Sequence, residues 1–330
     1  MAKIGRLLAL LFFITIAVNA LAQDAAGLTK DGQQLYRQKQ YAAAIEKYKA
    51  ALTAEPDNAR ANYEMALTLF SSGKGPDGLP FLEKSVKAGS SKVLTAASYS
   101  LMGSIYGNAK QLPKAIEAYK NGLKTDSTNQ RIYYNLGIVQ YRSKLYPDAE
   151  QSFISAIKRD SLDAGSTRMY ALVTFHENKR ADALLGFCRF LQLEPNSARS
   201  KEAFGNLQNI LQRGTLEAEI GYQPTAATKA EAFAQNKIIT KVLASFMTRK
   251  YASQTALLTA QLKELFAAFA NQPRPYKYSQ YFYKLSQTDN FDPFIRLMSQ
   301  SNIPENATWI KDNADKVIAL QEWFKTNPLN

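Results

Sequence analysis

The sequence of 330 residues carries 41 Lys and Arg against 28 Asp and Glu, a formal net charge of +13, with 46% apolar residues. A single cysteine, Cys188, and a single histidine, His176, rule out an internal disulfide and leave no His/Cys set for a metal site or a nucleophile–base pair. The basic excess suits solubility and contact with acidic surfaces, while the interspersed acidic residues read as solvated helix faces and not as a nucleic-acid patch.

The chain opens on the pattern of a secretory signal. Lys3 and Arg6 form the basic part, Leu7 to Val18 the apolar part, and Ala20-Leu21-Ala22 the small-x-small cleavage pattern. The mature chain is expected to begin near Gln23, with the charge lowered to +11 by loss of Lys3 and Arg6. The apolar run of about a dozen residues is short of the roughly 20 that a spanning helix needs. No cysteine follows the cleavage site to carry a lipid, and no later stretch is long and apolar enough to span a membrane. The expectation is a periplasmic or secreted protein without an integral membrane span.

Beyond the signal, small residues recur at a spacing of 34 in Ala115, Ala149 and Ala183, with aromatics in step at Tyr119, Phe153 and Phe187. The same period links Gly103, Gly137, Ala171 and Gly205, and upstream Gly32, Leu35, Ala44, Tyr48, Ala51 and Pro56 fall at the offsets of one more copy. Small residues at such columns are needed where two antiparallel helices cross closely.

These columns resemble the tetratricopeptide repeat (TPR), which has Gly or Ala at its eighth position, Ala at the twentieth, and Phe or Tyr at the twenty-fourth. The resemblance implies an all-α fold: a solenoid of helical hairpins over 25–58, 59–92, 96–129, 130–163 and 164–197. Val93 to Thr95 are inserted after the second repeat. That repeat is degenerate, with Gly78 in the Ala column and a Gly- and Pro-rich loop over Ser71 to Gly78. Ala198 to Gln212 begins a sixth copy without completing it and reads as a capping helix over the last exposed face. The domain reading is signal 1–22, solenoid 23–214, and a small all-helical domain over 215–330.

Gly221, Pro224 and neighbouring Thr residues mark a linker into that last part. Leu258, Leu262, Leu265, Phe266 and Phe269 share one helical face. Further helices are predicted over Tyr278 to Leu285, Pro293 to Ser301 and Asn313 to Phe324, with a short one from Pro304. The basic and aromatic run from Pro273 to Lys284 could serve a single-stranded nucleic acid. A helix with Tyr278, Phe282 and Leu285 inward and its tyrosine hydroxyls at the surface explains it better in an exported chain. Asn306-Ala307-Thr308 matches the glycosylation pattern.

No chemistry-bearing motif emerges. Gly73-Lys74-Gly75 lacks the Ser/Thr of a phosphate loop and sits between helices, and no carboxylate pair stands in an acid/base motif. Catalytic, cofactor and metal residues are therefore assigned to none, and no cofactor is expected. The resemblance instead implies a protein- or peptide-binding scaffold. In this family the first helix of each repeat lines the concave face, and its groove positions give Tyr36, Arg37, Tyr63, Phe70, Arg131, Tyr134, Tyr141, Arg142, Arg168 and Phe175 here. Aromatic and Arg side chains are common binding anchors. The carboxylate clamp of the family's chaperone-tail adaptors is absent: its positions hold Ser100, Ser104, Asn135, Gly165 and Met169, of which Asn135 alone matches. The alternative from another class is a small enzyme or glycan-binding domain at 215–330, carried by the repeats.

Overall fold

The computed structural model describes residues 25–213, 222–273 and 276–329. The expected signal at 1–22, together with Gly214, Gly221, Arg274 and Pro275, lies outside the described residues.

Among the described residues all regular structure is helical. Helix α1 covers 25–37. It is followed by α2 (Tyr41–Ala54), α3 (Ala59–Ser71), a 3₁₀ turn (Gly75–Gly78), α4 (Leu79–Ala88), α5 (Lys92–Asn108), α6 (Leu112–Thr125) and α7 (Gln130–Arg142). Then come α8 (Tyr146–Arg159), α9 (Ala164–His176), α10 (Arg180–Leu193) and α11 (Ala198–Arg213). Taken in pairs, α1 to α6 are the expected hairpins, as are α9 and α10; α7 and α8 fall where the fourth repeat places its two helices, and α11 is the expected single helix after α10. The inserted Val93 to Thr95 form no loop: α5 absorbs them as an extra first turn, capped by Ser91, whose hydroxyl accepts from the Leu94 N–H at 3.2 Å.

Three column types build each hairpin. The first is close approach: a Cβ on Gly32 would stand 2.5 Å from Tyr48 Cε1, and one on Gly103 would stand 2.7 Å from Tyr119 Cε1. The degenerate second hairpin keeps its crossing with Gly78, whose Cβ would stand 3.1 Å from the Ala66 carbonyl oxygen. The second is the reversal: Lys39, Gly73, Lys110, Lys144 and Asn178 take φ of 61°, 83°, 59°, 56° and 61°. Each is the fifteenth residue of its repeat, two beyond a helix end, where a left-handed step turns the chain back. The third is the cap, on the last residue of a repeat. Asn58, Asn129, Asp163 and Ser197 accept from the N–H of Ala61, Ile132, Ser166 and Ser200 at 2.9, 3.2, 2.7 and 3.1 Å.

The chain divides into two compact units, one ending at Val139 and the other beginning at Gln140. In the first, each hairpin buries its Ala and aromatic columns against the next: Ala44 and Tyr48 with Met65, Ala66 and Leu82 with Leu101 and Ile105, and Ala115 and Tyr119 with Ile132 and Leu136.

The second unit combines the last repeats with α12 (Ala226–Ala244), α13 (Gln254–Ala270), α14 (Ser279–Ser286), α15 (Phe291–Ser299), α16 (Pro304–Asp312) and α17 (Ala314–Thr326). Its centre is α10, in which every residue from Arg180 to Gln192 is buried. Burial all round requires cover on every side, and α9, α11, α12 and α15 supply it. Cys188 lies in this helix with no exposed surface, and burial pushes its thiol pKa up. The run around Tyr278 contributes to an aromatic core: Phe282 stacks on Phe266 at 5.2 Å and on Phe294 at 5.5 Å. The expectation that its tyrosine hydroxyls reach the surface fails at Tyr281, whose hydroxyl accepts from Gln192 Nε2 in α10 at 2.6 Å. Asn306 is fully buried and joins three elements: Oδ1 accepts from Thr255 and Arg296 at 3.1 Å each, and Nδ2 donates to Ser299 at 2.7 Å. The folded state therefore offers no acceptor amide for a glycan at that pattern.

Candidate functional site

In the first unit, α3, α5 and α7 are the first helices of consecutive repeats, so residues at the same repeat positions fall side by side. They enclose a cavity of about 260 Å³ lined by Tyr63, Leu67 and Phe70 of α3, Ser100 and Ser104 of α5, and Arg131 and Asn135 of α7. Three of the sequence-predicted groove residues, Tyr63, Phe70 and Arg131, thus meet in one concavity. Arg131 is exposed, while Tyr63 and Phe70 are half-buried. Burial, with the neighbouring Glu64, raises the Tyr63 pKa, so its hydroxyl stays a hydrogen-bond donor across the physiological range. The Ser104 hydroxyl donates to the Ser100 carbonyl at 3.0 Å and pairs with the Tyr119 hydroxyl at 3.0 Å.

The other first-unit candidates lie outside this lining. Tyr36 pairs its hydroxyl with Ser71 Oγ at 3.0 Å and its ring with Tyr41 at 5.7 Å, and Arg37 beside it is exposed. Tyr134 is half-buried. In the second unit, Tyr141 pairs its hydroxyl with His176 Nε2 at 2.9 Å, and His176 stacks on Tyr146 at 5.5 Å. Phe175 packs edge-on against Phe187 at 6.0 Å, and Arg168 forms an ion pair with Glu202 of α11 at 2.7 Å. Arg142 is exposed. Tyr141, Arg168 and Phe175 therefore have structural partners already, and the columns that suggested them report packing as much as recognition.

The second unit holds features the sequence reading missed. Lys179, beyond the α9–α10 reversal, contacts Glu150 at 2.7 Å, Glu231 of α12 at 3.0 Å and Glu177 at 3.4 Å. Burial alone would lower the Lys179 pKa, but these carboxylates, Glu150 first, raise it. Burial lifts the Glu177 carboxyl to about 8 despite Lys179. Beside it, Asp182 accepts from Gln235 Nε2 at 2.6 Å and from the Tyr170 hydroxyl at 3.2 Å, and burial raises it to about 6. Gln235 Oε1 also accepts from the Ala181 N–H at 2.9 Å, so α12 caps the start of α10. A cavity of about 780 Å³ opens next to this cluster, between Glu177 and Asn178, Tyr222 and Pro224, and α12. The spacing of Lys229, Phe233, Lys237 and Lys241 was the available signal. It went unread because α12 itself was not predicted.

Among the described residues no group of His, Cys, Asp and Glu is arranged to hold a metal ion, and no helix is long and apolar enough to cross a membrane.

Comparison with known proteins agrees with the hairpin geometry. The family model described as TPR repeat matches residues 32–73 and 103–144. Those two segments are tetratricopeptide repeats. It is 30% identical over 101 residues to the Hsp70-Hsp90 organizing protein of Triticum aestivum, covering 31% of this chain and 17% of that protein. It is 24% identical over 198 residues to a TPR repeat-containing protein of Methanocaldococcus jannaschii, covering 58% of this chain and 35% of the other. The chain thus spans about a sixth of the organizing proteins it matches. A solved structure titled for the functional characterization of Pseudomonas aeruginosa pilF shares the fold, with a TM-score of 0.52 at 16% identity over 70% of this chain and all of that one.

Proposed function

We propose that this chain is a non-catalytic protein-interaction scaffold that grips a peptide or extended segment of its partner in the concavity between α3, α5 and α7. The observation that carries this reading is the convergence of Tyr63, Phe70 and Arg131 from successive repeats on one open cavity. An aromatic floor, a guanidinium and small hydroxyl side chains suit a segment that offers an apolar side chain and a main chain to hydrogen-bond. The organizing proteins are named for two chaperones, but chaperone-tail recognition does not carry over: Ser100 and Ser104 stand where the clamp would place Lys and Asn. An internal or folded segment of the partner fits better. We further propose export to the periplasm or beyond after removal of 1–22. In that setting the solenoid of 23–214 would engage an envelope protein, and 215–330 would cap it.

The test is a photo-crosslinking amino acid at Ser100 of the full chain in its native envelope. One dominant partner is expected, with its yield cut sharply by Tyr63→Ala and Arg131→Ala. A yield unchanged by either substitution would place binding elsewhere.

A further inference from the structure

Helix α12 is fastened to the start of α10 by polar groups, with little apolar surface behind them. The buried face of this 19-residue helix offers Ala232 and Ile239 as its apolar residues, beside Thr228, Gln235 and Asn236. Gln235 holds it through both amide atoms: Oε1 accepts from the Ala181 and Asp182 N–H at 2.9 and 3.2 Å, and Nε2 donates to Asp182 Oδ2 at 2.6 Å. Glu231 adds its ion pair to Lys179 at 3.0 Å. An element seated on so few apolar contacts is of the kind that opens locally before the rest of its domain.

This fastening closes over more carboxyls than cations. Lys179 lies among Glu150 of α8, Glu177 just beyond α9 and Glu231 of α12, and Asp182 of α10 interacts by charge with Glu150 and Glu231. The other groups facing them are the Tyr170 hydroxyl of α9, which donates to Asp182 at 3.2 Å, and the Tyr222 hydroxyl, which donates to Glu177 Oε1 at 3.4 Å. Ahead of α14, Tyr276 and the half-buried Lys277 also interact with Asp182 by charge. Arg180 neutralises none of these carboxyls: its Nε donates to Asn178 Oδ1 at 3.0 Å and both Nη atoms lack a partner. Glu150, Glu177 and Asp182 are buried. Ionising all three, with Glu231 beside them, would leave Lys179 outnumbered in a site that water does not reach, so the seated arrangement must hold protons. Glu177 Oε2 suits one of them, being buried and accepting no hydrogen bond, a costly place for a bare anionic oxygen.

We propose that α12 is a proton-operated cover on the α9–α10 hairpin, seated while Glu150, Glu177, Asp182 and Glu231 share protons and released as these carboxyls ionise and repel across the α10–α12 contact. Burial lifts Asp182 to about 6 and Glu177 to about 8, whereas water reaching an opened site returns both toward ordinary carboxyl values. Groups raised in the seated state stabilise it fully at low pH and lose that contribution as pH climbs through the raised values, so release falls between about pH 6 and 8.

The test is hydrogen–deuterium exchange of the full chain, read by mass spectrometry at about pH 5.5 and about pH 8.5 and expressed as protection relative to the unfolded peptides at the same pH. Protection of α12 should fall at least about ten-fold from the lower to the higher pH, and at the higher pH it should lie at least about ten-fold below that of α13. Glu177→Gln combined with Asp182→Asn keeps the side-chain shapes and removes both titrations, so it should hold α12 protection constant to within about two-fold, each single substitution removing part of the fall. The proposal is overturned if α12 protection in the wild type does not fall with pH, if α12 and α13 share one protection at both pH values, so that α12 opens only with the whole unit, or if the single and double variants follow the wild-type profile.

Discussion

Gly103 lies against the ring of Tyr119 so closely that a Cβ would stand 2.7 Å from both Cε1 and Cζ. The ring cannot withdraw freely, because it is 3% exposed, sits in a core with Ala96, Ala115, Ile132 and Leu136, and pairs its hydroxyl with Ser104 at 3.0 Å. Gly103→Ala is therefore expected to destabilise the first unit by about 1–3 kcal/mol, as overpacking does, even though Ala is the better helix former. Denaturant unfolding checks this, and a stabilised variant would contradict the packing.

The hairpin reversals give an opposite expectation. Lys110 holds a φ of 59° and Gly73 a φ of 83°, a region that costs an L side chain on the order of 1–2 kcal/mol. Lys110→Gly should be neutral or stabilising by up to about 1 kcal/mol, and Gly73→Val should destabilise by at least about 1 kcal/mol. Thermal melts of the two variants, measured together, should move in opposite directions or not at all for Lys110→Gly.

The repeats were legible because each column has one physical cause. Gly or Ala at the crossing, an aromatic beside it and Asn, Asp or Ser at the cap recur whenever the same hairpin is built, and Gly32, Ala44 and Tyr48 therefore announce it. The left-handed position was not legible, since three of its five occupants are Lys, whose presence there does not advertise the turn. Helix α12 was missed for a different reason. Its buried face mixes Ala232 and Ile239 with Thr228, Gln235 and Asn236, while Phe233 points outward, so no apolar stripe marks it. Gln235 is buried there because it bonds to Ala181 and Asp182 of α10, and single-sequence periodicity cannot register a partner more than 50 residues away. The groove candidates were partly legible. Position alone does not separate Arg131, which opens on a cavity, from Arg168, which is tied to Glu202.

Two buried carboxyls make the second unit sensitive to pH. Burial raises Asp182 from 3.8 to about 6, against the lowering effect of its Gln235 hydrogen bond and with Glu150 and Glu231 adding to the rise. Burial likewise raises Glu177 from 4.5 to about 8. Both values are raised in the fold, so their stabilising contribution is full below the unfolded pKa and is lost as pH climbs through the folded one. Across roughly pH 4 to 8 the native unit holds more protons than the unfolded chain. Asp182→Asn should therefore gain stability relative to wild type by on the order of 2–3 kcal/mol between pH 4 and 7. Paired urea titrations at the two pH values check it, and a pH-independent difference between variant and wild type would contradict the buried, ionisable state.

The concavity between α3, α5 and α7 is expected to bind a partner while contributing little to the fold. The most direct measurement is calorimetric titration of the partner identified by crosslinking, with wild type, Tyr63→Ala and Arg131→Ala, alongside the melting temperature of each. Arg131→Ala should lose about 1–2 kcal/mol of binding with its melting temperature unchanged. Tyr63→Ala should lose at least as much binding, with only a modest shift in melting because its ring is half-buried. Wild-type affinity in both variants, with the partner still bound by the full chain, would contradict it.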